Sequence, residues 1–218
     1  MINIIYEDNH LLVVEKPINI PVQEDSSKDE DFLTMLKDFI KERDNKPGNV
    51  YLGLVHRLDR PVGGIMVFAK TSKAASRLSE QVRNHTFKKV YYAVLEGKAK
   101  ESDTLIDKLL KDTKNNIVKV DKNGKEAILN YQLLDYKNNY SLVKINLKTG
   151  RSHQIRVQFS SRKLPLYGDQ KYNKNSIVGE QIALFAKKIV FNHPITKEEI
   201  SFEIELPKRK PWIYFDKH

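Results

Sequence analysis

Leu54-Val55-His56-Arg57-Leu58-Asp59-Arg60-Pro61-Val62-Gly63-Gly64-Ile65-Met66-Val67-Phe68-Ala69-Lys70 contains two apolar runs around a charged centre, with Pro61 and Gly63-Gly64 as turn signals. Short apolar runs bounded by such residues predict two buried strands with a turn between them, and the turn carries Asp59 at its mouth. Two arginines, Arg57 and Arg60, lie within two residues of that carboxylate. Their charge favours the ionised form and holds an approaching anion nearby. The pattern suits a nucleophile or base that works beside a polyanion. On these residues alone, a salt-bridged loop pinning two strands explains it as well.

Working outward, the N-terminal side predicts a hairpin, with strands at Ile2 to Tyr6 and Leu11 to Glu15 around Glu7-Asp8-Asn9-His10. A polar stretch from Gln23 to Glu30 follows. Asp31 then caps a helix whose apolar positions Phe32, Leu33, Leu36, Phe39 and Ile40 keep helical spacing. After the Asp59 segment, Thr71 or Ser72 caps a second helix that places Ala74, Ala75, Leu78 and Val82 on one face. Val90 to Leu95 predicts a strand rich in aromatic and β-branched residues. The charged segment Lys98 to Lys125 predicts only short peripheral strands and turns. Further strands are expected at Ala127 to Leu134, Tyr140 to Leu147, Gln181 to Phe191 and Glu198 to Leu206. Arg151 to Phe159 fits a strand by alternation and a helix by its Ile155 to Phe159 spacing, and the helix is preferred. No repeat, low-complexity tract or clear linker divides the 218 residues. One mixed α+β domain spanning 1–218 is the economical expectation.

Lysine and arginine number 38 against 28 acidic residues, a formal charge of +10 spread through nearly every segment, so a polyanion such as nucleic acid is the expected partner. The chain has no cysteine, which excludes disulfides, thiolate metal sites and a catalytic thiol, and suits a reducing compartment. Neither a signal peptide nor an apolar stretch of about 20 residues occurs, so a cytoplasmic protein without a membrane partner is expected. His56, His85, His153 and His193 lack metal-ligand spacing, and no phosphate-binding or dinucleotide-binding glycine motif is present. The expected metal and cofactor complement is therefore none.

Two more segments concentrate unusual polar residues. In Lys89-Val90-Tyr91-Tyr92-Ala93-Val94 the adjacent tyrosines point to opposite faces of a strand, so one packs inward and the other is available to stack on a base. Two ordinary sheet tyrosines would look the same. In Thr149-Gly150-Arg151-Ser152-His153-Gln154-Ile155-Arg156, a helix start with two arginines offers an anion site, though a basic turn fits equally well.

Taken in order, these segments resemble the RluA family of RNA pseudouridine synthases. Asp8 with Leu12-Val13-Val14-Glu15-Lys16-Pro17 is similar to its N-terminal motif, and His56 to Lys70 to its catalytic motif. Lys89 to Gly97 is similar to its tyrosine motif and Thr149 to Val157 to its Thr-Gly-Arg-Thr-His-Gln-Ile-Arg motif. Pro165-Leu166-Tyr167-Gly168-Asp169 with Tyr172 is similar to its Pro-x-x-Gly-Asp…Tyr. The sequence departs from the family pattern at Glu15, Asn19, Pro61-Val62-Gly63-Gly64 and Gln158, which bears on substrate fit rather than on the reaction.

The resemblance implies a single α+β catalytic domain with a mixed, mainly antiparallel sheet flanked by helices and loops. It implies isomerisation of a uridine to pseudouridine in structured ribosomal or transfer RNA, without metal or cofactor. Asp59 would be the catalytic carboxylate, attacking either the sugar or the base ring. Tyr91 would stack on the target uracil, and Arg156 would pair with Asp59 and keep it ionised. Arg57 would fill the space of the extruded base, with Arg60, His56, Arg151 and His153 as further RNA contacts. A monomer without the small N-terminal RNA-binding module of many relatives is expected. A non-catalytic RNA-binding protein of the same fold, and an N-glycosylase that breaks the same bond without rejoining it, are the alternatives.

Overall fold

A computed structural model describes residues 2–25, 27–215 and 217–218; Met1, Ser26 in the polar stretch before the first helix, and Asp216 lie outside the described residues. The chain divides into two compact units, one formed by Met1–Lys88 with Ala186–Ile204 and the other by Lys89–Phe185 with Glu205–His218.

The first unit holds strands β1 (Asn3–Glu7), β2 (Leu11–Lys16), β3 (Gly53–Leu54) and β4 (Gly63–Ala69), together with helices α1 (Phe32–Arg43) and α2 (Ser72–Arg83). β1 pairs with β2, and β2 with β4, in antiparallel ladders. The continuous apolar composition of β4 matches its position, since all seven of its residues are buried. Leu11 to Val14 of β2 are fully buried as well. Asp31 caps α1 by accepting from the Thr34 N–H at 3.1 Å, and Thr71 caps α2 by accepting from Ala74 N–H at 3.2 Å. Phe32, Leu36 and Ile40 form the buried stripe of α1, and Phe32 meets Phe68 edge-on at 6.1 Å.

β10 (Leu184–Asn192) lies next to β4 and pairs with β11 (Glu199–Glu203) in a further antiparallel ladder. Gly64 is required where β4 passes β10, because a Cβ there would come within 2.5 Å of the Ala186 backbone nitrogen, and its φ is +126°. Asp8 joins the two hairpin turns of this unit. It accepts from the His10 and Leu11 N–H groups and from His193 Nε2 at 2.9 Å. His193 Nδ1 accepts from the Ile195 and Thr196 N–H groups, which places the ring proton on Nε2.

The second unit is built on antiparallel ladders in the order β5-β9-β8-β6-β7. The strands are β5 (Lys88–Glu96, entering the unit at Lys89), β6 (Ser102–Asp112), β7 (Ile117–Val120), β8 (Lys125–Lys137) and β9 (Tyr140–Leu147). Helix α3 (Gln154–Ser160) packs on one face of the sheet, where Phe159 meets Tyr131 at 5.1 Å. Pro165 to Tyr167 runs along β5, and Leu95 bridges Leu166. The 3-10 turn Trp212–Phe215 buries Trp212 against Phe185.

Two expectations change here. Lys98 to Lys125 holds the short edge strand β7, as expected, but also an eleven-residue strand, β6, where only short pieces were expected. Its inward positions Leu105 and Leu109 are buried, Asp107 between them lies on the same face and accepts from Gln158 and Arg162, Ile106 and Lys108 face outward, and Ser102 to Leu109 pairs in unbroken register with β8. The mean polarity of the segment hid this alternation. The strand leading to Asp59 is also shorter than expected, ending at Leu54. Beyond it, the His56 ring accepts the Val67 N–H at 3.2 Å, so a side chain takes the place of the next backbone rung.

Candidate active site

Within the first unit, the segment after β3 runs as an open loop through Asp59 and closes with the Val62 N–H donating to the Asp59 carbonyl at 2.9 Å. Three groups hold this loop. His56 is buried, tied to β4 through Val67 and set against Phe87 at 5.3 Å. Arg60 reaches outward to Asp29 and to Ser27 Oγ, anchoring the far side of the turn. Lys16, at the end of β2 and 1% exposed, donates to the carbonyls of Pro17 at 2.7 Å, Arg60 at 3.2 Å and Val62 at 2.9 Å. Its three donors thus meet three backbone oxygens, two of them, from Arg60 and Val62, on the far shoulder of the Asp59 turn. Burial pushes the Lys16 ammonium down to about 7, while the Asp59 carboxylate pulls it the other way. Arg57 is exposed and makes no hydrogen bond or ion pair with a described residue.

Within the second unit, Tyr91 lies on β5, 6% exposed and paired with Ile145 of β9. The loop before α3 is sewn to β8 by Gln154, whose Nε2 donates to the Ile128 carbonyl while its Oε1 accepts from Thr149 Oγ1 at 2.8 Å and from Arg151 N–H at 3.0 Å. Arg151 is exposed and donates to the Glu126 carbonyl. His153 adopts left-handed backbone geometry at φ 51°, and its Nδ1 lies 2.6 Å from the Tyr172 hydroxyl. That hydroxyl also accepts from the Val118 N–H.

Arg156 is buried in α3. Its Nε donates to Asp169 Oδ2 at 2.9 Å and its Nη2 to Oδ1 at 2.7 Å, a two-pronged pair with the Asp169 side chain fully covered. The Tyr172 ring lies 5.1 Å from the guanidinium carbon. Asp169 also accepts from the Lys171 and Tyr172 N–H groups, so one carboxylate fixes both the arginine and the turn after Gly168. A Cβ at Gly168, φ +67°, would strike the Gln181 carbonyl oxygen at 2.5 Å.

The structure therefore collects His56, Arg57, Asp59 and Arg60 in one unit and Tyr91, Arg151, His153 and Arg156 in the other. Sequence reasoning gave no role to Lys16 or Asp169. A lysine closing a strand that opens with four apolar residues, and an aspartate directly after the turn glycine Gly168, were the available signals. Among the described residues no cluster of three His, Asp or Glu side chains is placed to hold a metal ion.

Comparison with known proteins shows the family and the fold. Residues 10–161 match the family described as RNA pseudouridylate synthase. An uncharacterized RNA pseudouridine synthase from Aquifex aeolicus is 35% identical, over 98% of this chain and 72% of that protein. The ribosomal large subunit pseudouridine synthase D of Zymomonas mobilis is 30% identical, over 95% of this chain and 70% of its own length. The ribosomal large subunit pseudouridine synthase C of Buchnera aphidicola is 34% identical, over 90% and 64%. The fold is shared with human RNA pseudouridylate synthase domain containing 4, at TM-score 0.80 and 22% identity over 94% of this chain and 89% of that one. The chain belongs to the RNA pseudouridylate synthase family. It is an RNA pseudouridine synthase of the RluA type, an isomerase acting on RNA.

Proposed function

We propose that this enzyme isomerises a specific uridine in structured ribosomal or transfer RNA, with Asp59 as the nucleophile. The observation that carries the assignment is the construction of the Asp59 turn, since the backbone on its far side is held by a buried lysine while the turn itself opens between basic side chains. A carboxylate held in this way is suited to covalent attack at or near a glycosidic bond. In the reaction, the bond from the ribose anomeric carbon to uracil N1 breaks, and a bond to C5 forms. The C5 proton leaves to solvent and N1 acquires one, so substrate and product are isomers.

The remaining roles follow the family motifs. Tyr91 stacks on the target uracil once the base has left its helix, and Arg156, held in place by Asp169, keeps the Asp59 carboxylate ionised. Arg57, exposed beside Asp59, takes the place of the extruded base, and Arg60, Arg151 and His153 add cationic contacts along the RNA. The two relatives named above as acting on the large ribosomal subunit favour ribosomal RNA as the first substrate to try.

Large-subunit ribosomal RNA transcribed without modification and tritiated at uracil C5 tests this directly. Tritium release to water by the wild type, and none by Asp59→Asn with RNA binding retained, is the expected result. Turnover by Asp59→Asn would remove that residue from the mechanism. Release of free uracil would instead identify an N-glycosylase.

A further inference from the structure

Lys89 opens the inner part of β5, two residues before Tyr91, so strand alternation puts the two side chains on the same face. It is half-buried, and it forms no hydrogen bond or ion pair with any described residue. Three other lysines drawn into the fold are each partnered. Lys16 has three carbonyls, Lys70 has Glu7 and the Asp8 carbonyl, and Lys187 has Glu203. Burial without a compensating charge pushes the Lys89 ammonium down from its ordinary range. A cation in that state costs folding free energy that a structural lysine would recover through a partner.

The Lys89 ammonium lies against the loop that leads into α3. A Cβ added at Gly150 would sit 3.3 Å from its Nζ, closer than an ordinary contact. Gly150 therefore leaves the ammonium room that any other residue would take. The next residues of that loop are Arg151, which is exposed, and His153, so the chain that passes the Lys89 ammonium carries two further nitrogen donors. Uracil carries no charge, and the full negative charges that RNA offers are its phosphates.

We propose that Lys89 is an RNA-binding residue that takes a backbone phosphate of the target nucleotide or its neighbour, while Tyr91 on the same strand face carries the uracil. The inference rests on the reading of Tyr91 as the stacking platform. Two strand positions of about 3.3 Å each separate the side-chain roots by ~7 Å, within reach of one nucleotide's base and phosphate. The phosphate supplies the charge that the protein withholds from Lys89, so the cost of its burial is recovered only in the complex.

The test compares wild type, Lys89→Met and Lys89→Arg on the unmodified large-subunit transcript. Binding is measured across a salt series, and tritium release is followed in parallel. Lys89→Met is expected to fold with an unchanged or higher melting temperature, to bind about tenfold more weakly, and to show a salt slope shallower by about 0.7–0.9, the value of one phosphate contact. Its KM rises with kcat held, and Lys89→Arg restores affinity and slope. An unchanged slope, a fall in kcat at constant KM, or failure of Lys89→Met to fold would each overturn the assignment, since each describes a lysine with a positional role. Wild-type RNA binding without tritium release would overturn large-subunit RNA as the substrate and leave the salt slopes to decide Lys89.

Discussion

At the scale of single residues, three buried charges hold the candidate segments, Asp169 and Arg156 in one unit and Lys16 in the other. Asp169 and Arg156 form a covered two-pronged pair, and removing one partner strands the other. Asp169→Asn is expected to cost about 3–5 kcal/mol, measured by urea denaturation. Lys16 poses a different case because its folded and unfolded forms titrate differently. Its ordinary value of 10.5 falls to about 7 in the folded protein. Between those values the unfolded chain binds a proton that the folded chain has released, so raising the pH across the window favours folding. Below about 7 the charged amine is buried at full cost, and its three carbonyl contacts are what it has in return. The stability difference between wild type and Lys16→Met is therefore expected to grow from pH 7 towards 10.5. At the upper end the variant should be lower by about 1–3 kcal/mol, since the Arg60 and Val62 carbonyls lose their donor. A flat difference across that pH range would contradict this account of Lys16.

At the scale of elements, charged side chains on β1 and α1 do work that the hydrophobic pattern does not. Glu7 of β1 accepts from both terminal nitrogens of Arg43, at 2.7 and 2.9 Å, and from Lys70 at 2.7 Å, which ties β1 to the end of α1 and to the residue after β4. The Arg43 hydrogen bonds, together with Lys70, hold the Glu7 carboxyl down at about 2 against an ordinary 4.5. Its contribution is full above pH 4.5 and is lost as the pH falls through about 2. Glu7→Gln is expected to cost about 1 kcal/mol at pH 7, a value reduced for the partial exposure of the pair, and the difference should shrink steadily between pH 4.5 and 2 in denaturant titrations. Most elements were legible because their signals are local. Asp31 and Thr71 announced the helix starts, and β4 announced itself by an apolar run long enough for burial on both faces. The long β6 was not legible, since its apolar residues Leu105 and Leu109 make sense only against the facing strand β8. The early end of β3 was hidden for the same kind of reason, as nothing near His56 in sequence shows that its ring will meet the Val67 N–H.

At the scale of the whole molecule, a charge of +10 without large acidic blocks leaves a surface matched to a polyanion. If six to ten phosphates are engaged, affinity for the unmodified ribosomal transcript is expected to fall by about 10³–10⁵ between 50 and 200 mM salt. Filter binding across that range checks it, and an affinity insensitive to salt would argue against an electrostatic footprint of this size.

The order of motifs along the chain already specified the family, because the segments around Asp59, Tyr91 and Arg156 each carry a recognisable local pattern. Helix caps, turn glycines and apolar periodicity likewise belong to neighbouring residues, and such signals survive in one dimension. The partners of buried charges do not. That Lys16 would find the carbonyls of Arg60 and Val62, more than forty residues away, and that Asp169 would hold Arg156, depends on which backbone and side-chain atoms the fold brings within hydrogen-bonding distance. Charge pairing is short-ranged and directional once water is excluded, so its partners are settled by packing rather than by local pattern. Asp59 became a candidate from its neighbours in sequence, whereas the groups that hold its turn became visible only when the chain was folded.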